Sequence, residues 1–166
     1  MSCSHKKTYN VNAKKVALIS HKDIRWNNCH IKTVSLLPNV LLKQKALKKN
    51  AFECLMLDDQ GYITEATTSN IWIFKKNTLI TTPLTSNILP GVTRKKIIEL
   101  AKTLNILVCE EKFKENDVYK ADNVFITNSS AIILEANKLN GKKLKVTNNK
   151  ILKNIKLEMF KVINNE

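Results

Sequence analysis

The stretch Leu57–Phe74, LDDQGYITEATTSNIWIF, carries the signals that decide the fold. Two β-type runs, YITE and NIWIF, are separated by small hydroxyl residues, and the turn sequence DDQG precedes the first of them. The run before it, Phe52–Leu57, and the run after it, Leu79–Thr82, have the same character. Short β-rich runs joined by turn residues predict an antiparallel meander.

Helical patterns flank these strands. Apolar residues recur from Leu37 to Leu47, with Pro38 in a position suited to a first helical turn, and predict an amphipathic helix ending near Asn50. Three further helices are predicted over Val92–Leu104, KENDVYKA and ILKNIKLEMFKVI. Further strands are predicted at VALI, ILVCE, NVFIT, IILEA and KKLKV, the last two joined by an Asn140–Gly141 hairpin turn. Helices and strands mix without regular βαβ alternation, which predicts an α/β fold of mixed α+β type.

Length and composition indicate one domain. We expect Met1–Lys14 to be a loose segment and residues 15–166 to form the domain, in a chain of 166 residues with a net charge of +14. Lysines spread along the chain supply nearly all the positive charge, and Arg25 and Arg94 are the only arginines. Because nucleic-acid sites favour arginine and a concentrated basic patch, we expect no nucleic-acid partner.

The cysteines and the apolar runs indicate where the protein works. The four cysteines lack C-x-x-C spacing, and Cys54 and Cys109 lie in apolar runs, so we expect buried, reduced thiols. No apolar run approaches the roughly 18 residues that span a membrane. We therefore expect a cytoplasmic protein with no membrane partner and no metal site.

Lys32 is the first residue that could carry chemistry. Apolar neighbours on both sides would partly desolvate it, and desolvation lowers a lysine pKa and frees the amine as a nucleophile. The alternative is a solvent-facing lysine at the end of a strand.

Three further segments offer an acid or an anion site. Glu65 precedes hydroxyl residues and Asn70, and could hold a protonated ring nitrogen, or the segment could be a simple turn. Gly91, followed by Val92 and Thr93, opens a helix that offers an anion site or has an ordinary cap. The segment with Asn128 and Ser129 could complete a phosphate cup or form another polar loop.

Together these segments match one cofactor. A lysine that binds an aldehyde, an acid for a pyridine nitrogen and two donor-rich loops for a phosphate are what pyridoxal 5'-phosphate (PLP) requires of a protein.

Four blocks of sequence resemble the class IV aminotransferases, the PLP enzymes of fold type IV. The family includes D-amino-acid aminotransferases, branched-chain aminotransferases and aminodeoxychorismate lyases. The resemblance covers about Val16 to Leu144 and implies the C-terminal cofactor domain of the D-amino-acid aminotransferase-like fold. The matching blocks are DIRWNNCHIKT, LDDQGYITEATTSNIWIF, TPLTSNILPGVTR and ADNVFITNSS, with KLNGKK after it.

The resemblance implies a role for each candidate residue. Lys32 would bind PLP covalently and then move the α-proton, and Glu65 would pair with the pyridine nitrogen. The remaining residues would hold the phosphate or support the ring pocket: Val92, Thr93, Asn128 and Ser129 for the phosphate, and Ser69 and Asn70 for the pocket. The implied reaction exchanges an amino group between an amino acid and a 2-oxo acid.

The subgroup and the partners are less closely defined. Leu37 stands where branched-chain enzymes usually have a tyrosine, so the pattern resembles the D-amino-acid group more than the branched-chain group or the lyases. The family's small N-terminal domain is expected to be absent, and Ala66 replaces the family's glycine. We expect a truncated or split form that acts as a homodimer or with a separate N-terminal half. The alternative is a non-catalytic remnant or partner subunit.

Overall fold

The computed structural model describes residues 14–164, so nearly all of the predicted loose segment 1–14 lies outside the described residues. Every predicted helix and strand is confirmed, with small shifts of its ends. Residues 14–164 contain, in chain order, β1 Val16–Lys22, α1 Leu37–Lys48, β2 Glu53–Leu57, β3 Ile63–Ala66, β4 Asn70–Lys75, β5 Thr78–Thr81, α2 Val92–Thr103, β6 Leu107–Glu110, α3 Glu115–Lys120, β7 Asn123–Asn128, β8 Ile132–Leu139, β9 Lys142–Lys143 and α4 Lys150–Asn164.

The strands form one mixed sheet in the order β3-β2-β1-β8-β7-β4-β5-β6, with β9 paired to β8. Strand β1 runs parallel to β2 and β8, and β5 runs parallel to β6. Helix α1 makes the crossover from β1 to β2, and α2 makes the crossover from β5 to β6. This arrangement confirms the predicted α/β fold of mixed type.

The predicted meander is only partly correct. Strands β2 and β3, and strands β4 and β5, pair antiparallel as predicted, but β3 does not continue the sheet into β4. Instead β4 pairs antiparallel with β7, which is distant in sequence. Five of the six β4 residues are buried, and a strand buried on both faces lies inside a sheet with a partner along each edge.

The core lies on both faces of this sheet. On one face α2 and α4 cover Trp72 and Phe125, whose rings stack with centroids 5.7 Å apart. Elsewhere α1 packs on β1 and β2 through Leu42 and Ala46, both fully buried. Cys54 is buried as predicted, but Cys109 is only half-buried because β6 is an edge strand.

The apolar residues that suggested an amphipathic α1 do not form its buried face. Leu37 is 68% exposed and Leu41 is 49% exposed, whereas Leu42 is completely buried. The helix carries apolar residues on both sides, and the sheet covers only one of them. Within residues 14–164 we find no helix that is both long enough and apolar enough to cross a lipid bilayer.

Candidate functional site

Glu65 lies near the end of β3 and is 5% exposed. Its carboxylate forms an ion pair with Arg25 and accepts hydrogen bonds from Asn70 Nδ2 at 3.2 Å and from the Leu89 backbone N–H at 3.3 Å. Burial raises the pKa of Glu65 to about 7, although the Arg25 guanidinium and the Leu89 N–H act in the opposite direction. A carboxyl group in this environment can hold a cationic hydrogen-bond donor away from competing water.

Arg25 is a central residue of the site that our sequence analysis did not single out. Its side chain is 5% exposed, and besides Glu65 it pairs with Asp23 at 2.7 Å and donates to the Asn87 carbonyl at 2.9 Å. Burial acts to raise the pKa of Asp23, but the Arg25 guanidinium outweighs burial and holds that pKa below its ordinary value. An arginine in a chain with only two, inside the quoted block DIRWNNCHIKT, was the available signal.

Asn70 connects Glu65 to the loop that precedes α2. Its Nδ2 group donates both to Glu65 and to the Leu89 carbonyl, at 2.9 Å in the second case. A Cβ atom on Gly91 would overlap Asn70 Oδ1, so the loop needs glycine where it passes the asparagine. The structure thus brings Glu65, Asn70 and Gly91 together, as expected for one site.

The first turn of α2 has the features of an anion site. Gly91 is its N-cap, and no side chain in the described part of the chain caps the helix. Thr93 is buried, and Val92 is 75% exposed. Within residues 14–164, buried Arg94 Nε and Thr82 Oγ1 have no hydrogen-bond partner, although Arg94 Nη2 donates to the Thr82 carbonyl at 3.0 Å. Free backbone donors at a helix N-terminus attract phosphate, so the start of α2 fits an anionic ligand.

A second polar turn joins β7 to β8. Asn128 Nδ2 donates to Ser69 Oγ at 2.9 Å, and Asn128 Oδ1 accepts from the backbone N–H groups of Ser130 at 3.0 Å and Ala131 at 2.7 Å. Ser129 is exposed at the tip of this turn. The predicted residues Ser69 and Asn128 are therefore in direct contact, and Ser129 is exposed beside them.

Lys32 lies in the loop between β1 and α1, and contacts on both sides hold that loop. Before Lys32, Arg25 binds Glu65, and the His30 N–H donates to a carbonyl of the loop before α2 at 3.0 Å. After it, Asn39 Nδ2 donates to the Thr67 carbonyl at 2.8 Å. The loop is thereby attached to the same end of β3 that carries Glu65.

The expected desolvation of Lys32 is not found. Lys32 is exposed, because its apolar neighbours Ile31 and Val34 are themselves 50% and 96% exposed and enclose no apolar pocket. Among residues 14–164 it has no hydrogen-bond or ion-pair partner, so its amine is available to an aldehyde. The amine, the buried acid and two donor-rich turns together fit PLP.

A model of the family described as amino-transferase class IV matches residues 3–139. This match covers most of the sequence, and the chain therefore belongs to the class IV aminotransferase family.

Two relatives support the assignment. The chain is 37% identical over 126 residues to a D-alanine aminotransferase of Bacillus licheniformis, a match covering 76% of this chain and 44% of the relative. A second D-alanine aminotransferase, from Staphylococcus epidermidis, is 36% identical over 138 residues, covering 83% of this chain and 49% of that protein. The chain spans about half the length of the curated relatives it matches.

Solved structures show the same fold. The branched-chain amino acid aminotransferase of Escherichia coli superposes with a TM-score of 0.75 at 29% identity, over 88% of this chain and 51% of that chain. The PLP form of the branched-chain enzyme of Thermobaculum terrenum superposes with a TM-score of 0.85 at 23% identity, over 93% of this chain and 52% of its own. The predicted fold type IV architecture is thus confirmed.

Proposed function

We propose that this chain is the cofactor-binding part of a PLP-dependent class IV aminotransferase, which transfers an amino group between an amino acid and a 2-oxo acid. The observation that carries the proposal is the buried carboxyl of Glu65, joined through Asn70 to the uncapped start of α2. Lys32, which is exposed to solvent, lies in a loop attached to the same place.

Each residue would have a defined task. PLP, when bound, supplies an aldehyde and an electron-withdrawing ring. The Lys32 amine would condense with the aldehyde with loss of water. Once the substrate amine displaces it, Lys32 would take a proton from the substrate Cα and deliver it to the former aldehyde carbon. Glu65 would accept a hydrogen bond from the protonated ring nitrogen, sheltered from water by its burial. The backbone of Val92 and Thr93 and the hydroxyl of Ser129 would hold the phosphate.

The substrate belongs to one of two groups. The relatives above include D-alanine and branched-chain aminotransferases, and we propose a D-amino acid or a branched-chain amino acid as the amino donor. Leu37 in place of the usual tyrosine favours the D-amino-acid group. A lyase acting on aminodeoxychorismate is the less favoured alternative, and a non-catalytic partner subunit is the other.

Association with another chain is part of this proposal. Exposed apolar side chains on the outer face of α1, among them Leu37 and Leu41, are typical of a surface that another polypeptide covers. We propose a homodimer or a complex with a separate N-terminal half, in the cytoplasm, with no nucleic-acid partner.

Borohydride trapping tests the proposal. The chain is incubated with PLP and reduced, and the pyridoxyl-peptides are located by mass spectrometry. We expect one dominant adduct on Lys32 that is lost in Lys32→Ala and kept in Lys49→Ala, the matched change at another exposed lysine. Adducts scattered over surface lysines, in the chain alone and in its complex with an N-terminal half, would contradict the proposal.

A further inference from the structure

Glu53, the first residue of β2, is a fully buried carboxylate that the proposed reaction does not use. It accepts hydrogen bonds from Thr67 Oγ1 at 3.0 Å, the Thr68 backbone N–H at 2.9 Å and Ser69 Oγ at 2.9 Å, and also from the Thr68 hydroxyl. Lys43 Nζ lies 3.9 Å from its Oε1 atom. Three successive hydroxyl side chains thus turn toward this one acid.

The bond from Ser69 determines the direction of the next hydrogen bond. A serine hydroxyl has one proton, and Ser69 donates it to Glu53. Toward Asn128, Ser69 can therefore only accept, and Asn128 presents its Nδ2 group at 2.9 Å. That orientation leaves Asn128 Oδ1 on the other side, where it accepts from the N–H groups of Ser130 and Ala131.

The turn held in this way is conformationally unfavourable. Ile132, which faces Asn128 across the hairpin, has a φ of 59°. A β-branched residue rarely adopts such a left-handed conformation, so the turn needs interactions from outside to keep its shape. The two bonds to Asn128 Oδ1 supply them.

We infer that Glu53 is a positioning residue: through Ser69 it fixes the amide orientation of Asn128 and so holds the 129–131 turn in its ligand-binding shape. The identity of the ligand, a phosphate, rests on the proposed function. The hydrogen bonds from Glu53 to the turn do not depend on the proposed function. In Glu53→Gln the new side-chain amide can donate a hydrogen bond to the Ser69 hydroxyl. That hydroxyl can then donate its own proton to Asn128 Oδ1. The asparagine amide turns around, and the Ser130 and Ala131 N–H groups lose their acceptor.

Amide hydrogen exchange in the cofactor-free protein tests the series of hydrogen bonds from Glu53 through Ser69 and Asn128 to the turn. Loss of the acceptor should speed exchange of the Ser130 and Ala131 amide protons by about tenfold in Glu53→Gln, the factor expected for one hydrogen bond. Ser69→Ala keeps the threonine donors of Glu53 but removes the group that anchors Asn128 Nδ2, so it should speed the same exchange by a smaller factor, which serves if Glu53→Gln folds poorly. Thr68→Ala is the matched control: it removes a donor to the same carboxylate but lies outside the path to Asn128.

Ligand binding gives the second readout. The ratio of the dissociation constants of pyridoxal and PLP isolates the phosphate contribution, and it should fall about tenfold in Glu53→Gln and stay constant in Thr68→Ala. Unchanged amide exchange in Glu53→Gln and Ser69→Ala, or an equal change in Thr68→Ala, would overturn the inference. Because exchange is measured without cofactor, a chain that never forms the Lys32 adduct can still show the expected exchange pattern, so the two failures are distinguishable.

Discussion

Replacing Glu65 by glutamine tests whether burial or the ion pair with Arg25 determines the pKa of this carboxyl group. Glu65 is 5% exposed, and burial raises its pKa from 4.5 to about 7 against the opposing effect of Arg25. If Arg25 controlled it instead, the pKa would lie below 4.5.

The two cases differ in whether the free energy of unfolding falls or rises as the pH increases. With a raised pKa, the folded state still holds a proton between about pH 4.5 and pH 7 that the unfolded state has released, so the free energy of unfolding falls as the pH rises through this window. The difference between the two pKa values corresponds to about 3 kcal/mol, at about 1.4 kcal/mol for each pH unit. A lowered pKa would instead make stability rise with pH, below pH 4.5.

Urea unfolding of the cofactor-free wild type and of Glu65→Gln, from pH 4.5 to pH 8, measures this effect. The wild-type free energy of unfolding relative to the variant should fall by about 3 kcal/mol and level off above pH 7. Glu158→Gln, at an exposed ion pair in α4, is the control and should show a constant difference. A constant or rising difference for Glu65→Gln would refute the argument from burial.

Three further changes probe the site and the surface of the domain. Arg25→Met removes the cationic partner of Asp23 and of buried Glu65, and it should lower the free energy of unfolding at pH 7 by about 3–5 kcal/mol in urea titrations, less at pH 4. Gly91→Ala should displace Asn70 and weaken PLP binding by about tenfold in absorbance titrations, since Asn70 then loses a hydrogen bond. Gly141→Ala strains a turn of positive φ, but no atom lies within 4 Å of its Cβ position, and it should leave binding unchanged. Leu41→Lys, on the outer face of α1, should reduce self-association measured by light scattering, and unchanged association would argue against that surface.

Local patterns predicted the elements of the fold well. The Asn140–Gly141 turn illustrates why: both residues have positive φ, at 49° and 78°, the conformation that an Asn-Gly hairpin turn requires. Turn chemistry and hydrophobic spacing act over a few residues, so they can be recognised without the tertiary structure. The candidate residues were found in the same way, as short polar segments at the ends of strands.

Pairings between residues distant in sequence could not be recognised from local patterns. Arg25 and Glu65 are 40 residues apart, and nothing in the local sequence of either indicates the other. Glu53 was missed for the same reason, because in the sequence it is one charge in an apolar run. Of the two alternatives for Lys32, the structure has the solvent-facing side chain, because apolar neighbours in sequence do not enclose a side chain when they themselves face solvent.

The sequence alone determined the helices, the strands, the turns and the family pattern, since each depends on residues close together in the chain. Tertiary structure decided which face of α1 is buried, because a helix with apolar residues on both sides gives no preference until the sheet covers one of them. It also decided that β4 pairs with β7, and that a buried arginine joins Glu65. These outcomes depend on burial and on contacts between distant segments, which exist only once the chain has folded.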